Sequence, residues 1–261
     1  MDRFDFVFVI LVYKNTSDLI SFFHSLKVAN SKVIVVNSYF DETTEKEFES
    51  IAKRNNADFF TVDNKGYGAG NNAGCVWALK KYKFEYLIIS NADILIKKLS
   101  IGDVHPDVVN APMIKNTIGH MSNPMQPYNI PFFEKIKYNC FKTNNNIWKI
   151  KLCIAINSFL RILYRISHLK GGAIYMSHGS FLILPYNIIY NLTPIYNEQQ
   201  FLFCEEDHLA HLLYRGGYKT YYNPSIEVLH KEDGSVGGIS DRVYEMTRKS
   251  YITFYEYWHK K

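Results

Sequence analysis

The chain has 261 residues, 47% hydrophobic and 21% charged, which fits one body with a sizeable core and excludes an intrinsically disordered chain. Its net charge of +5 is uneven: no acid occurs between Glu134 and Glu198, where eight of the 30 bases lie, leaving 22 bases against 25 acids elsewhere. Positive charge confined to one segment points to an anionic partner surface and argues against a nucleic-acid enzyme.

In chain order, Phe6–Tyr13 reads as a continuous apolar strand, and Ser17 as the cap of a helix over 18–28 with Leu19, Phe22, Phe23 and Leu26 on one face. Asp2 and Asp5 lead straight into that strand, so no secretory signal is expected. A second strand covers 33–36, a helix 41–55 with Phe48, Ile51 and Ala52 at helical spacing, and a third strand 58–62. A glycine-rich loop follows at 64–74, then a helix over 71–82 and a strand over 86–89. This alternation predicts a mostly parallel sheet covered on both faces. Pro106, Pro112, Pro124, Pro127 and Pro131 make the next stretch read as loops.

Residues 147–169 read as a helix in which Lys151, Asn157, Ser158, Arg161, Arg165 and His168 share an arc of roughly 120°, most of the rest being apolar. Strands over 173–176 and 180–184, a helix over 203–214, strands over 219–222 and 226–229, and a Tyr-rich helix over 241–261 complete the expectation. No window of 18 apolar residues occurs, so no membrane-spanning helix is expected. Cysteines 75, 140, 153 and 204 form no CxxC pair, as in reduced cytosolic proteins.

The loop Asn64-Lys-Gly66-Tyr67-Gly68-Ala-Gly70-Asn-Asn72-Ala-Gly74 carries most of the functional information. Its alternate glycines are expected to turn tightly and admit a bulky ligand to the backbone. Asn91 and Asp93 follow the fourth strand, where ligands bind in α/β sheets, and together the two features suggest a pocket for a nucleotide diphosphate and its metal. Gly68-Ala-Gly70-Asn-Asn-Ala73 also satisfies a dinucleotide fingerprint, but it follows the third strand rather than the first. Glu205-Glu206-Asp207 opens a helix, where three acids would complement the macrodipole, and His230 ends a strand ahead of Gly234-Ser235.

In conjunction these motifs resemble family-2 inverting glycosyltransferases of the GT-A fold, of the bacterial rhamnosyl, galactosyl, capsule and O-antigen type. The resemblance covers nearly all of the chain and implies an α/β GT-A domain over 1–261. Its parts would be a nucleotide-sugar half at 1–100, a loop-rich and basic helical insertion at 101–170, an acceptor and catalytic half at 171–240, and a terminal helix. By resemblance, Tyr13, Asn37, Asn64, Gly66, Tyr67, Gly68, Asn72, Asn91 and Asp93 would bind the nucleotide sugar. Asp93 and His230 would hold Mn²⁺ or Mg²⁺, and Gly179-Ser-Phe181 would form the acceptor-side strand. Alignment on the downstream Gly217 makes Glu206 the catalytic base; alignment on chemical identity makes it Asp207. The first aspartate of the family's Asp-x-Asp is Asn91 here, and the family's Asp-Asn pair on the second strand is Asn37-Ser38.

The implied reaction is sugar transfer from a UDP-, dTDP- or GDP-linked donor to a glycan hydroxyl, the acceptor being carried on polyprenyl diphosphate. The implied place is the cytoplasmic face of the plasma membrane, held there by the basic helix on anionic lipid. Two alternatives belong to other classes. One is a non-catalytic membrane-surface binding protein with a degenerate sugar-nucleotide site, which Asn91 favours. The other is a sugar nucleotidyltransferase, disfavoured because Tyr13-Lys-Asn-Thr-Ser17 lacks the glycines of a phosphate loop after the first strand.

Overall fold

The computed structural model describes residues 2–231 and 241–260. Its first part alternates as the hydrophobic pattern demands: β1 (Arg3–Val12), α1 (Thr16–Ser25), β2 (Ser31–Ser38), α2 (Glu42–Arg54), β3 (Asp58–Val62), α3 (Tyr67–Lys81) and β4 (Lys83–Asn91). Strand β1 is apolar on both faces because both are covered. Phe6, Phe8 and Ile10 pack with Phe22 of α1 and Phe48 of α2, whereas Val7 and Val9 pack with Cys75 and Ala78 of α3. The cap of α1 is Asn15 rather than Ser17: its Oδ1 accepts from the Ser17 amide at 3.1 Å, and the helix ends at Ser25.

The second part comprises β5 (Ile94–Lys98), β6 (Val109–Asn116), α4 (Pro131–Thr143), α5 (Ile147–Ser167), β7 (Gly172–Ile174), β8 (Phe181–Pro185), α6 (Tyr186–Leu192), α7 (Glu205–Arg215), β9 (Thr220–His230) and α8 (Asp241–His259). The sheet runs β3-β2-β1-β4-β8-β6-β9-β5, with β7 paired to β9. Only β3-β2-β1-β4 and the β6–β9 pair are parallel; β8, β5 and β7 join antiparallel. The expected mostly parallel sheet is therefore parallel chiefly in its first half.

Elements β5, β6, α4 and α6 lie outside the expected pattern. In β6 the proline sits at a register shift against β9, between Pro112 and Met113, an irregularity of the kind at which sheets tolerate proline. The two short strands expected over 219–229 are one strand, β9, that carries Pro224 through the same irregularity.

The glycine-rich stretch is mostly not a loop. Helix α3 starts at Tyr67, and only Gly66, its cap, takes a left-handed backbone at φ +103°. A Cβ on Gly68 would sit 2.8 Å from the Tyr196 Cβ, while Cβ atoms on Gly70 and Gly74 would run into Leu11 and Val9 of β1. These glycines let a helix lie close on the sheet. Ligand approach is not what they provide.

Helix α5 also departs from expectation, in orientation. Arg161 donates to the carbonyls of Met121 (2.8 Å) and Ser122 (2.9 Å), Arg165 to Met121 (3.3 Å), and Asn157 to Met125 (3.0 Å). The polar arc thus grips the 121–125 loop, because guanidinium forks satisfy carbonyls that no strand partner reaches. Of the three cations on the arc expected to meet a membrane, Lys151 is exposed, whereas Arg161 and Arg165 are half-buried.

Candidate active site

Parallel strands bring their carboxyl ends to one edge of the sheet, and most sequence-derived candidates gather there. Tyr13 follows β1, Asn37 lies near the end of β2, Asn64 follows β3, and Asn91 ends β4. The Tyr13 ring meets Phe40 edge-on at 5.6 Å, and the Lys14 ammonium lies 4.2 Å from the Phe40 centroid. Asn37 is buried and donates to Thr61 at 3.2 Å. Two candidates face elsewhere. Gly68 packs on Tyr196, and the Asn72 amide is fully spent. Its Oδ1 accepts from the amides of Ile195 and Tyr196, and its Nδ2 donates to the Tyr196 carbonyl and to Glu198. Asn72 therefore pins the 195–198 segment and has no capacity left for a ligand.

Asp93, in the turn between β4 and β5, and His230, the last residue of β9, come together because β5 and β9 pair antiparallel at Ile94 and His230. The His230 Nε2 lies 3.1 Å from the Asp93 carboxylate, and both side chains are buried. The other ring nitrogen, Nδ1, is buried without a hydrogen-bond partner. A carboxylate oxygen and an imidazole nitrogen about 3 Å apart match neighbouring ligands on a divalent ion at bond lengths of about 2.1 Å. By its spacing and chemistry, this pair of donors, Nε2 and the carboxylate, fits a cation. Gly234 and Ser235, read with His230 in the sequence, lie outside the described residues.

Asn91 is tied to the acidic cluster through a short relay. The Tyr67 hydroxyl bonds the Asn91 Oδ1 and the Gly179 carbonyl, each at 3.1 Å, and the Gly179 amide donates to the Glu206 Oε1 at 3.2 Å. A Cβ on Gly179 would stand 2.8 Å from that same oxygen, so only glycine lets the carboxylate rest on the backbone there.

Glu205, Glu206 and Asp207 open α7, where the helix N-terminus favours negative charge, yet all three hold their protons more tightly than free carboxyls. Burial, then the Glu206 charge, pushes Glu205 up to about 8, and its Oε1 has no partner. Burial also raises Glu206. Burial raises Asp207 to about 6 against the pull of Lys137, whose ammonium is 3.7 Å away. These acids stand at one wall of a cavity of about 610 Å³. Asn91, Tyr67 and Gly179 border it, Phe133, Phe141, Ile150, Cys153 and Ile154 give it apolar walls, and Lys137 and Arg161 add positive charge. Tyr13 and Asn37 do not line it.

Several site residues carried no signal in the sequence. His178 stacks edge-on against His230 at 5.6 Å and bonds Ser180 at 2.9 Å. Lys231 reaches across to Asp18 at 2.6 Å while its backbone amide bonds the Asp93 carbonyl. Glu134 receives His211 at 3.0 Å and His259 at 3.5 Å, a second grouping of potential ligands, all within 4.8 Å of one another. Glu134 was visible only as the edge of the acid-free segment; Lys231 could have been flagged by its place beside His230.

No protein-family model and no curated protein matches this sequence. Solved structures do match. A crystal structure of GalNAc-T7 with UDP, GalNAc and Mn²⁺ aligns with a TM-score of 0.63 at 12% identity over 97% of this chain and 48% of that one. TarS of S. aureus aligns at 0.56 and 12%, over 87% of this chain and 36% of that one. The mannosyltransferase PcManGT from Pyrobaculum calidifontis, in complex with GDP-Man and Mn²⁺, gives 0.55 and 11%, over 97% and 70%. The fold is GT-A. This GT-A chain spans less than half the length of the first two, and at such identities the likeness extends to the fold alone.

Proposed function

We propose that this GT-A chain is an inverting glycosyltransferase of family-2 character, moving a hexosyl or deoxyhexosyl group from a nucleoside-diphosphate sugar to a glycan hydroxyl. The observation that carries this reading is a cation-competent Asp93–His230 pair two residues along the chain from Asn91, which Tyr67 and Gly179 link to Glu206 in a proton-accepting acid cluster. The three matched structures support it: UDP with Mn²⁺ accompanies one, and GDP-Man with Mn²⁺ another. Donor placement follows from the strand ends, with Tyr13, Phe40 and Asn37 beside the nucleoside and Asn91 near the sugar. The cavity, which Tyr13 and Asn37 do not line, takes the acceptor. Its apolar walls and two cations suit a sugar carried on a polyprenyl diphosphate.

A sugar hydroxyl is a weak nucleophile, so its proton must leave as it attacks the anomeric carbon. Glu206 takes that proton. It rests on the Gly179 amide next to the Tyr67–Asn91 relay, whereas Asp207 is engaged by Lys137. Its raised proton affinity improves it as a base. The bond from the anomeric carbon to the diphosphate breaks as the new glycosidic bond forms on the opposite face, and the nucleoside diphosphate leaves. Asp93 and His230 would hold Mn²⁺ or Mg²⁺, which when bound offsets charge on that leaving group.

Nucleoside-diphosphate release in single-turnover assays tests the assignment. Glu206→Gln should lower the rate by about 10²-fold or more with donor affinity retained, and Asp207→Asn should do less. The reverse ranking would move the role to Asp207. The binding-protein alternative requires that no nucleotide sugar be turned over at all.

A further inference from the structure

Helix α5 presents its apolar side to the outside. At 100° per residue, the arc from Ile162 round to Ile156 spans about 120° and takes in Trp148, Leu152, Phe159 and Leu163. Every residue in it is apolar, and Lys151 and Lys149 lie just beyond its two edges. Trp148 and Phe159 are each 60% exposed and Leu152 51%. An ordinary surface helix places charge on that side, so a stripe this continuous marks a contact surface. The helix cannot roll to bury it, since Arg161 and Asn157 on the opposite side are bonded to the 121–125 carbonyls.

We propose that this face inserts into the boundary between headgroups and acyl chains of an anionic bilayer, the helix lying in the membrane plane. Its 21 residues extend about 31 Å, and no helix among the described residues is long and apolar enough to cross a membrane. Charge decides between a bilayer and a second copy of the chain. Lys149 and Lys151 flank the stripe and no acid occurs between Glu134 and Glu198, so two copies would bring like charges together along this face while anionic headgroups would be attracted. Trp148 near one end and lysines at both edges of the stripe match how such helices seat, with aromatic rings and amines at headgroup level. The contact therefore rests on apolar insertion, with the lysines as auxiliaries, and the arginines take no part. The inner side of the same helix walls the cavity beside Glu206, so insertion would set that cavity at the membrane surface.

The test is co-sedimentation of the full chain with phosphatidylglycerol–phosphatidylcholine vesicles and with phosphatidylcholine alone. Leu152→Gln/Phe159→Gln/Ile166→Gln should lower partitioning on the order of 10²-fold or more in both salt conditions, low and high. Lys149→Gln/Lys151→Gln should cost roughly thirtyfold, on anionic vesicles at low salt only. Circular dichroism checks that the variants fold. Independently of those variants, wild-type tryptophan emission should shift blue with vesicles, and Trp148→Phe should abolish the shift. Unchanged sedimentation of the folded triple variant, no shift in wild type, or a concentration-dependent dimer that does not bind vesicles would each overturn the proposal. None of these measurements uses a nucleotide sugar, so the outcome stands apart from the transferase reading.

Discussion

Replacing Glu205 with Gln should change how stability depends on pH. The folded chain holds this carboxyl up to about 8, because it is buried and faces the Glu206 charge, whereas a free glutamate titrates at 4.5. A raised folded-state value means the native state binds the proton more tightly than the unfolded chain. The benefit is complete below about pH 4.5 and is lost as pH rises through about 8, at about 1.4 kcal/mol per unit. Across the window the loss is on the order of 3–5 kcal/mol, a large share of a typical domain's stability. Gln has the same shape and no proton to lose, so the variant should match wild type near pH 5 and exceed it by several kcal/mol at pH 9. Urea unfolding at pH 5, 7 and 9, without nucleotide or metal, measures both curves. Because the Glu205 and Glu206 charges act on each other, the difference between the two curves belongs to that pair rather than to Glu205 alone. Parallel curves for the two proteins would refute the claim that Glu205 is held protonated by burial.

Gly179→Ala should push the Glu206 carboxylate off its backbone donor and lower turnover tenfold or more, with a nearly unchanged thermal midpoint, since the backbone at 179 is not left-handed. Asn72→Ala should cost about 2–4 kcal/mol by leaving the buried 195–196 backbone groups unpaired. Donor KM should stay unchanged there, which steady-state kinetics would check. Turnover itself should rise with pH through a limb lying above 4.5, because burial raises Glu206 and only its deprotonated form accepts the acceptor's proton. A limb at or below 4.5 would count against Glu206.

What the sequence made legible follows from where physical signals are local. Strand β3 was readable to the residue, and β1, β2, α2 and α5 to within a few, since burial on two faces or one writes itself as a run or a period. Strand β6 was hidden by Pro112, whose compensation is a register shift against a partner a hundred residues away. The glycines of α3 looked like a ligand loop because glycine serves turns and close helix–sheet packing alike; only the positions of Leu11, Val9 and Tyr196 separate the two. Asp93 and His230 were named together on resemblance, and strand pairing at Ile94 places them in contact. The polar arc of α5 was correctly located but its direction was not, since amphipathicity fixes two faces without saying which one meets the protein. His178 stayed invisible, and Lys137 was seen only as one charge of the basic segment, because single residues acquire meaning only from what folds against them.

The central claim is that Asp93 and His230 form, with a divalent ion, the diphosphate end of a nucleotide-sugar site. Calorimetric titration of wild type and Asp93→Ala with UDP-, dTDP- and GDP-sugars, in Mn²⁺ and then in chelator, tests it directly. One donor class should bind wild type in Mn²⁺, and binding should vanish both in chelator and in the folded variant. Equal affinity of Asp93→Ala and wild type, or no binding of any nucleotide sugar in Mn²⁺, would contradict the account.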